Sequence, residues 1–299
     1  MKAKTNGPSR LKTFRKQYGW YFFILIPVFG TLLFNFYPII VSFFTSLKNS
    51  RGAYVGLANY EVLFTDALFL IAIKNTVYMG ILTLLINIPL AFLFANMINS
   101  ITRGKNFFKV SFLLPMIMSM VSVALVFKFI FSADPNGLMN VVLRFFNIEP
   151  QKWFSSISTS RETVVIMNTW KNLGYNVILF LAGLQNIPTE YYEAASIDGA
   201  NEFDKLRYIT LPGTKNIFIF VYITTCINVL KKFTDVYAIS GQDADPGNTL
   251  LTIILYIYRK SFATTSHTDV GVGAAASIVL LAVIMIITVI NLKVSSKED

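Results

Sequence analysis

The chain has 299 residues, of which 54% are hydrophobic and only 14% are charged. Soluble domains usually carry about 25% charged residues, so this composition leaves too little polar surface for a soluble globule and indicates a membrane protein. The formal net charge of +10 would suggest nucleic acid as the partner of a soluble protein, but here a membrane topology signal explains it better. A single cysteine and a single histidine, His267, exclude an intramolecular disulfide and a Cys/His metal cluster.

Six apolar runs are long enough to cross a bilayer as helices, which takes about 20 residues. They are Trp20–Phe44, Asn75–Met97, Val110–Phe131, Thr163–Leu184, Asn216–Leu230 with a continuation to Asp235, and Gly271–Leu292. Lipid offers the backbone no hydrogen bonds, and barrel strands are short with alternating polarity, so long apolar runs favour helices. The predicted fold class is therefore all-α, a polytopic membrane bundle with six transmembrane helices.

Lysine and arginine residues near the spans set the predicted orientation. The tail of residues 1–19 carries Lys2, Lys4, Arg10, Lys12, Arg15 and Lys16, and the loop after the second run carries Arg103, Lys105 and Lys109. Both segments are expected in the cytoplasm. With six spans in residues 20–292, the tail of residues 293–299 also lies there, as does the segment between the fourth and fifth runs.

That segment, about residues 187–213, is charged although it separates two apolar runs. Thr189 is placed to cap a helix, and Gly199 suits the position after its end, where φ is positive. Asn201 is placed to cap a second helix with Asp204 at its third position, and Pro212 is expected to end that helix. The pattern predicts two short helices joined by a glycine elbow outside the membrane, with Glu193 and Asp198 among its charges.

One pattern in this segment resembles the signature of the membrane subunits of binding-protein-dependent ABC importers. It reads Glu-Ala-Ala, three residues, Gly, nine residues, Ile, one residue and Leu-Pro, at Glu193, Ala194, Ala195, Gly199, Ile209, Leu211 and Pro212. The words FLAGLQNIPTEYYEAASIDGA, GLANYEVLF and GVGAAAS are similar to the sugar-importing, maltose-type branch. The stretch GQDADPGNT departs from the Gly-Gly-Pro turn common in that branch.

The resemblance implies a permease subunit in a bacterial cytoplasmic membrane, surrounded by lipid and carrying a sugar or oligosaccharide. Its partners would be a second permease, most simply as a heterodimer, two cytoplasmic ATPase subunits and an extracytoplasmic solute-binding protein. Glu193 would pair with a basic residue of the ATPase, Ala194 and Ala195 would pack into its groove, and Gly199 would provide the bend. The chain has no G-x-x-x-x-G-K-[ST] motif and no catalytic constellation, so it is not expected to be an enzyme, and ATP and Mg²⁺ would bind the partner.

Polar residues inside the spans are the candidates for solute contact. Asn168, Asn172 and Tyr175 lie four and three residues apart on the fourth run, and Asn228, Lys232 and Asp235 repeat this spacing on the fifth. Such spacing places each set on one helix face and suggests a water-lined pathway. Two alternatives stay open, since amides also join membrane helices and lysines also extend to the interface.

Rival functions also stay open. An ABC permease for a peptide, a polyamine or a phosphate ester would keep the assembly and change the solute, and Lys171 and Lys232 would favour an anionic group. An ion-coupled secondary transporter would need carboxylates deep in its spans. The spans contain no glutamate, and Asp235 lies near the end of one.

Overall fold

The structure is a computed structural model that describes residues 23–263 and 269–295. In these two ranges the chain forms helices, and its β structure is limited to an isolated bridge between Lys48 and Tyr54. The prediction of an all-α membrane bundle is confirmed. The basic N-terminal tail, the start of the first run at Trp20, and His267 lie outside the described residues.

The helices are numbered in chain order. They are α1 (Phe23–Ser46), α2 (Ala58–Thr65), α3 (Ala67–Ser100), α4 (Lys105–Ile117), α5 (Met120–Ile130), α6 (Leu138–Phe145), α7 (Ser160–Gln185), α8 (Thr189–Ile197), α9 (Glu202–Gly213), α10 (Lys215–Leu230), α11 (Thr234–Ser240), α12 (Ile253–Phe262) and α13 (Val270–Ser295). A π-helical section, Leu32–Phe36, lies within α1, and another, Leu206–Thr210, lies within α9.

The number of spans is lower than predicted when length and apolar composition alone are counted. In the described ranges α1, α3 and α13 meet both criteria, and the bent pairs α4–α5 and α9–α10 raise the number from three to five. The 26 residues of α7 are long enough to span, but Asn168, Lys171, Asn172 and Asn176 make it more polar than the other candidates. The bundle is confirmed, and the count of six spans is not.

The third apolar run is not one helix, contrary to the prediction. The α-helix α4 ends at Ile117, Met118 is extended with ψ 145°, and the chain turns by 97° into α5. Pro115 lies in the last turn of α4, where a proline removes a backbone donor and weakens helix continuation. Apolar residues continue directly across the bend, so hydropathy did not reveal it.

The fifth run also breaks, because α10 ends at Leu230 and α11 starts at Thr234. The predicted continuation through Lys232 to Asp235 as one helix is therefore wrong. Two details of the preceding segment differ as well. Pro188, not Thr189, is the N-cap of α8, and α9 continues through Pro212 to Gly213, because proline is tolerated in the first turn of the helical section that starts at Leu211.

Helices α3 and α7 pack along each other and form the centre of the bundle. One buried apolar cluster surrounds their first halves, and a second surrounds their last halves beside α8, with Ala91, Ala95, Phe180 and Leu184 among its members. Helix α4 approaches α7 at Gly174, where a Cβ atom would lie 1.7 Å from the backbone oxygen of Phe112. Only a residue without a side chain fits this crossing.

Two of the sequence segments that carry the family resemblance are in contact in the folded chain. Asn59, in GLANYEVLF, donates hydrogen bonds to the backbone oxygens of Ser46 (2.7 Å) and Lys48 (2.8 Å). Gly271, in GVGAAAS, lies against the same groups, since a Cβ atom there would be 2.3 Å from the oxygen of Lys48. These two segments therefore form a contact that holds the end of α1 against α2 and the start of α13.

Candidate solute cavity and coupling segment

A cavity of about 650 Å³ opens between α3, α7 and α10, with part of its wall from the α4–α5 bend and α11. It is lined by Thr83, Asn87, Met116, Met120, Asn168, Lys171, Asn172, Tyr175, Asn176, Thr224, Thr225, Ile227, Asn228, Val229, Lys231, Lys232, Phe233, Thr234 and Asp235. All six residues that the sequence analysis grouped by spacing are among them. Three of them lie on α7, and the others lie on α10, in the break after it and on α11.

Lys232 contributes to this cavity as half of an ion pair rather than as a free cation. Its Nζ lies 2.7 Å from Asp235 Oδ2, and the two side chains are only 3% and 5% exposed. Asn168 Nδ2 donates to the same carboxylate oxygen at 2.7 Å. Lys232 lies in the break between α10 and α11, and its ammonium is buried in this ion pair instead of extending to solvent.

Lys171 faces the bend between α4 and α5. Its Nζ donates to the backbone oxygen of Met116 at 2.8 Å and approaches that of Pro115 at 3.5 Å. The last carbonyls of a helix have no partner within the helix, and a cation near them also complements the helix dipole. Lys171 therefore stabilises the end of α4 instead of presenting its charge freely to the cavity.

Asn172, Tyr175 and Asn228 face the cavity with hydrogen-bonding capacity left over, beside the exposed side chains of Lys231 and Thr234. Asn172 donates to Asn168 O at 3.0 Å and to Asn168 Oδ1 at 2.9 Å, which leaves the Asn172 side-chain oxygen as an acceptor. Tyr175 and Asn228 are exposed, and no side-chain hydrogen bond of theirs is found in the described part of the chain. Together they offer a hydroxyl, a complete amide and an amide oxygen to a solute.

The sequence reading missed the contribution of α3. Asn176 Nδ2 donates to Asn87 Oδ1 at 2.6 Å and lies 3.4 Å from Thr225 Oγ1, so three helices meet through buried polar groups. Thr83 and Asn87 lie four residues apart in an otherwise apolar helix, a spacing that could have indicated a polar face. Asn176 thus joins α7 to α3 and α10, as amides do in membrane helix bundles.

The segment of residues 187–213 has the predicted form of two helices and a glycine elbow. Gly199 has φ +79°, a conformation that residues with a side chain rarely adopt. Asn201 accepts hydrogen bonds from the backbone N–H groups of Phe203 and Asp204, and Asp204 accepts one from the N–H of Asn201. This reciprocal pattern is the predicted capping box.

The signature residues lie on the outer surface of this segment. Between its two arms is a notch of about 530 Å³, lined by Ala194, Ala195, Asp198, Ile209 and Pro212 among others. Leu211 is 40% exposed beside it. Glu193 is exposed, and the described residues provide no hydrogen bond or ion pair to its carboxylate.

A second set of contacts fixes the segment to the bundle. The Tyr192 hydroxyl lies 3.0 Å from Thr210 Oγ1 and so joins the two arms. Ile187 belongs to the second apolar cluster, and Tyr192 and Ile209 pack against it. Ile209 is a signature residue that lies on the buried side, whereas Ile187 and Tyr192 lie outside the signature and were not predicted as anchors.

An apolar helical bundle that encloses a polar cavity and projects a firmly anchored, exposed helix pair has the architecture of a multi-pass membrane transport protein. Comparisons with known proteins define the family. Residues 87–297 match the family described as binding-protein-dependent transport system inner membrane component, and the chain belongs to this family.

Relatives match over nearly the whole chain. The arabinooligosaccharides transport system permease protein AraP of Bacillus subtilis is 34% identical over 98% of this chain and 97% of its own length. The lactose transport system permease protein LacF of Rhizobium radiobacter is 32% identical over 94% and 95%. The fold is similar to that of a bacterial ABC transporter involved in import of the acidic polysaccharide alginate, with a TM-score of 0.83, 24% identity and coverage of 97% and 99%.

Proposed function

We propose that this chain forms half of the translocation pathway of an ATP-driven importer for a saccharide. The observation that carries this proposal is the cavity, whose free groups include an amide, an amide oxygen, two hydroxyls and an aromatic ring beside the ammonium of Lys231. Hydroxyl-rich solutes are bound by such groups, in sites that combine a few placed polar atoms with aromatic surface. The names of the relatives AraP and LacF support the same solute class.

The segment of residues 187–213 is the proposed contact with a cytoplasmic ATPase. Glu193 is exposed with an unpaired carboxylate in the described structure, as expected of a group that meets an arginine or lysine of a partner. Ala194 and Ala195 have small side chains beside a notch, which permits close approach of another surface. ATP then supplies the energy, and it binds together with Mg²⁺ in the partner.

In the proposed cycle, ATP binding closes two ATPase subunits and displaces the docked helix pair as a rigid body. The bundle then changes from inward-facing to outward-facing, and hydrolysis reverses the change. A similar second permease completes the cavity, and an extracytoplasmic binding protein delivers the solute. Both chain termini lie in the cytoplasm in this arrangement.

Uptake measurements test the solute class. Proteoliposomes that contain the purified complex, with its binding protein outside and ATP inside, are supplied with labelled arabinotriose, lactose, a tripeptide, spermidine or glycerol phosphate. Accumulation of at least one saccharide, dependent on ATP and absent with the other three probes, is the expected result. Selective uptake of the tripeptide, the polyamine or the phosphate ester would replace the saccharide with that class.

The coupling role of Glu193 is tested by charge reversal. Glu193→Lys is expected to leave the bundle folded and to abolish ATP-dependent uptake, because the proposed partner cation then meets a like charge. Glu190→Lys is the matched control, since Glu190 is also an exposed acid of α8 but lies outside the signature. Normal uptake by the Glu193 variant would remove the assigned role.

A further inference from the structure

Helix α6, between α5 and α7, presents an apolar face that no described residue covers. Leu138, Val141, Val142 and Phe145 follow the spacing i, i+3, i+4, i+7 and therefore share one side of the helix. Their exposed fractions are 53%, 49%, 48% and 84%. An isolated exposed leucine is ordinary, but four such residues on one helix face form a contact surface.

Hydrogen bonds on the opposite side fix this orientation. Asn140 is fully buried, and the two hydrogens of its amide nitrogen are shared among the backbone oxygens of Ser132, Asp134 and Gln151, which lie 3.2, 2.9 and 3.1 Å away. Its side-chain oxygen accepts from the Gln151 N–H and from Trp153 Nε1. Rotating α6 to bury its apolar face would break all of these bonds, so the exposure of that face is built into the loop.

The helix before this loop also carries an exposed apolar stripe. Val121, Leu125 and Phe129 lie four residues apart on α5 and are 54%, 62% and 71% exposed. Phe131, directly after α5, stacks edge-on against Trp153 at 4.9 Å between ring centroids, which holds the loop close to the end of that helix. Helix α6 therefore lies close to the end of a bundle helix whose own outer side is apolar.

The one charged residue within α6 is basic. Arg144 lies on the side away from the centre of the apolar face, while Asp134 and Glu149 flank the helix and Lys152 follows, so the flanking charges nearly balance. The Arg144 guanidinium donates to the backbone oxygen of Pro135 at 2.8 Å and is held in place. An amphipathic helix with a purely apolar face, next to the end of an apolar membrane helix, is typical of helices that lie in the plane of a membrane interface.

We propose that α6 lies in the membrane interface, with Leu138, Val141, Val142 and Phe145 inserted at the boundary between lipid head groups and acyl chains. In this proposal lipid covers the apolar face of α6. Cover by a partner protein is the competing outcome of the test. The helix would hold the α5–α7 loop, and through Phe131 the end of α5, at a fixed depth. This role concerns the loop alone and is independent of the solute and of the ATPase.

Spin labels measure the environment of this face directly. Phe145→Cys and Val141→Cys are made in a Cys226→Ser background, and the purified complex is reconstituted in nanodiscs of phosphatidylethanolamine and phosphatidylglycerol. Collisions with oxygen, which concentrates in lipid, are compared with collisions with a water-soluble nickel chelate. Glu149→Cys, on the exposed chain just after α6, is the matched control.

Lipid contact predicts severalfold more oxygen collisions and severalfold fewer nickel collisions at positions 145 and 141 than at position 149. Nickel access equal to that of the control at either position would place the face in water and overturn the proposal. Labels that are immobilised and shielded from both reagents would instead indicate a protein partner, and would also overturn it. All of these readings use substitutions on an exposed face, where the cost to folding is small.

Discussion

At Gly174, the close packing of α7 against α4 requires a residue without a side chain. A Cβ atom there would overlap the backbone oxygen of Phe112 at 1.7 Å, and backbone cannot rotate away as a side chain does. We expect Gly174→Ala to destabilise the protein by about 1–3 kcal/mol or more, which is the usual cost of overpacking. Thermal unfolding in detergent measures it. Gly30→Ala, where no atom lies within 4 Å of the added carbon, should leave the midpoint unchanged, and equal midpoints for both variants would contradict this account.

The ion pair of Lys232 and Asp235 gives a second prediction at the residue scale. Removing one partner leaves a buried, uncompensated charge, which typically costs about 3–5 kcal/mol. Lys232→Met and Asp235→Asn should therefore each lower the unfolding temperature, and the double variant Lys232→Met/Asp235→Asn should recover much of the loss. Lys231→Met is the control, because Lys231 is exposed and forms no ion pair with a described residue. A double variant as unstable as the sum of the single ones would show that the two charges do not compensate each other.

Helix α4 ends where Lys171, on α7, donates to its final carbonyls. Lys171→Met keeps the length of the side chain and removes the donor, so the last turn of α4 should open more often. Faster amide hydrogen exchange at Met116–Met118 is the expected result, and Lys171→Arg should restore slow exchange because arginine also donates. Unchanged exchange in the methionine variant would mean that the bend is held by packing alone.

The capping of α9 by Asn201, directly after the glycine elbow, can be tested by substitution. Asn201→Ala removes the side-chain acceptor for two backbone donors, a loss worth about 1 kcal/mol at a helix N-terminus. Exchange should accelerate at Phe203 and Asp204, while the thermal midpoint of the bundle stays the same, since α9 lies at its edge. Asn201→Asp, which keeps an acceptor, should behave like the original chain, and a similar acceleration in that variant would assign the effect to something other than capping.

The elements that sequence predicted well are those whose signals are local. Gly199, Asn201 and Asp204 each report on their own backbone, so the elbow and the capping box were predicted. The breaks after Ile117 and Leu230 were not predicted, because apolar residues continue across the first and the charges after the second were interpreted as the polar face of a continuing helix. Spacing placed Asn168 and Lys232 in the cavity, but it gave no information that Asp235 contacts both, since Asn168 lies on another helix.

On the scale of the whole molecule, α7 connects the two proposed working parts. It carries Asn168, Asn172, Tyr175 and Asn176 at the cavity, and it ends at Gln185, just before the segment of residues 187–213. Its last half is packed in the second apolar cluster together with Ile187 and residues of that segment. In the proposed cycle, a displacement of the segment reaches the cavity through this one continuous helix, since packed elements move as units rather than deform smoothly.

This connection predicts that blocking the cavity separates transport from ATP use. Asn172→Trp places a large ring in the 650 Å³ space while the segment of residues 187–213 is unchanged, so the complex should still assemble and hydrolyse ATP. Uptake of the saccharide accumulated by the original complex should be lost in proteoliposomes. Ile166→Trp, six residues away on the same helix, adds the same ring at an exposed position that does not line the cavity, and it should leave uptake unaffected. Normal uptake by the Asn172 variant would mean that the solute passes elsewhere, and a joint loss of uptake and ATP hydrolysis would mean that the ring disturbs the fold or the assembly instead of the pathway.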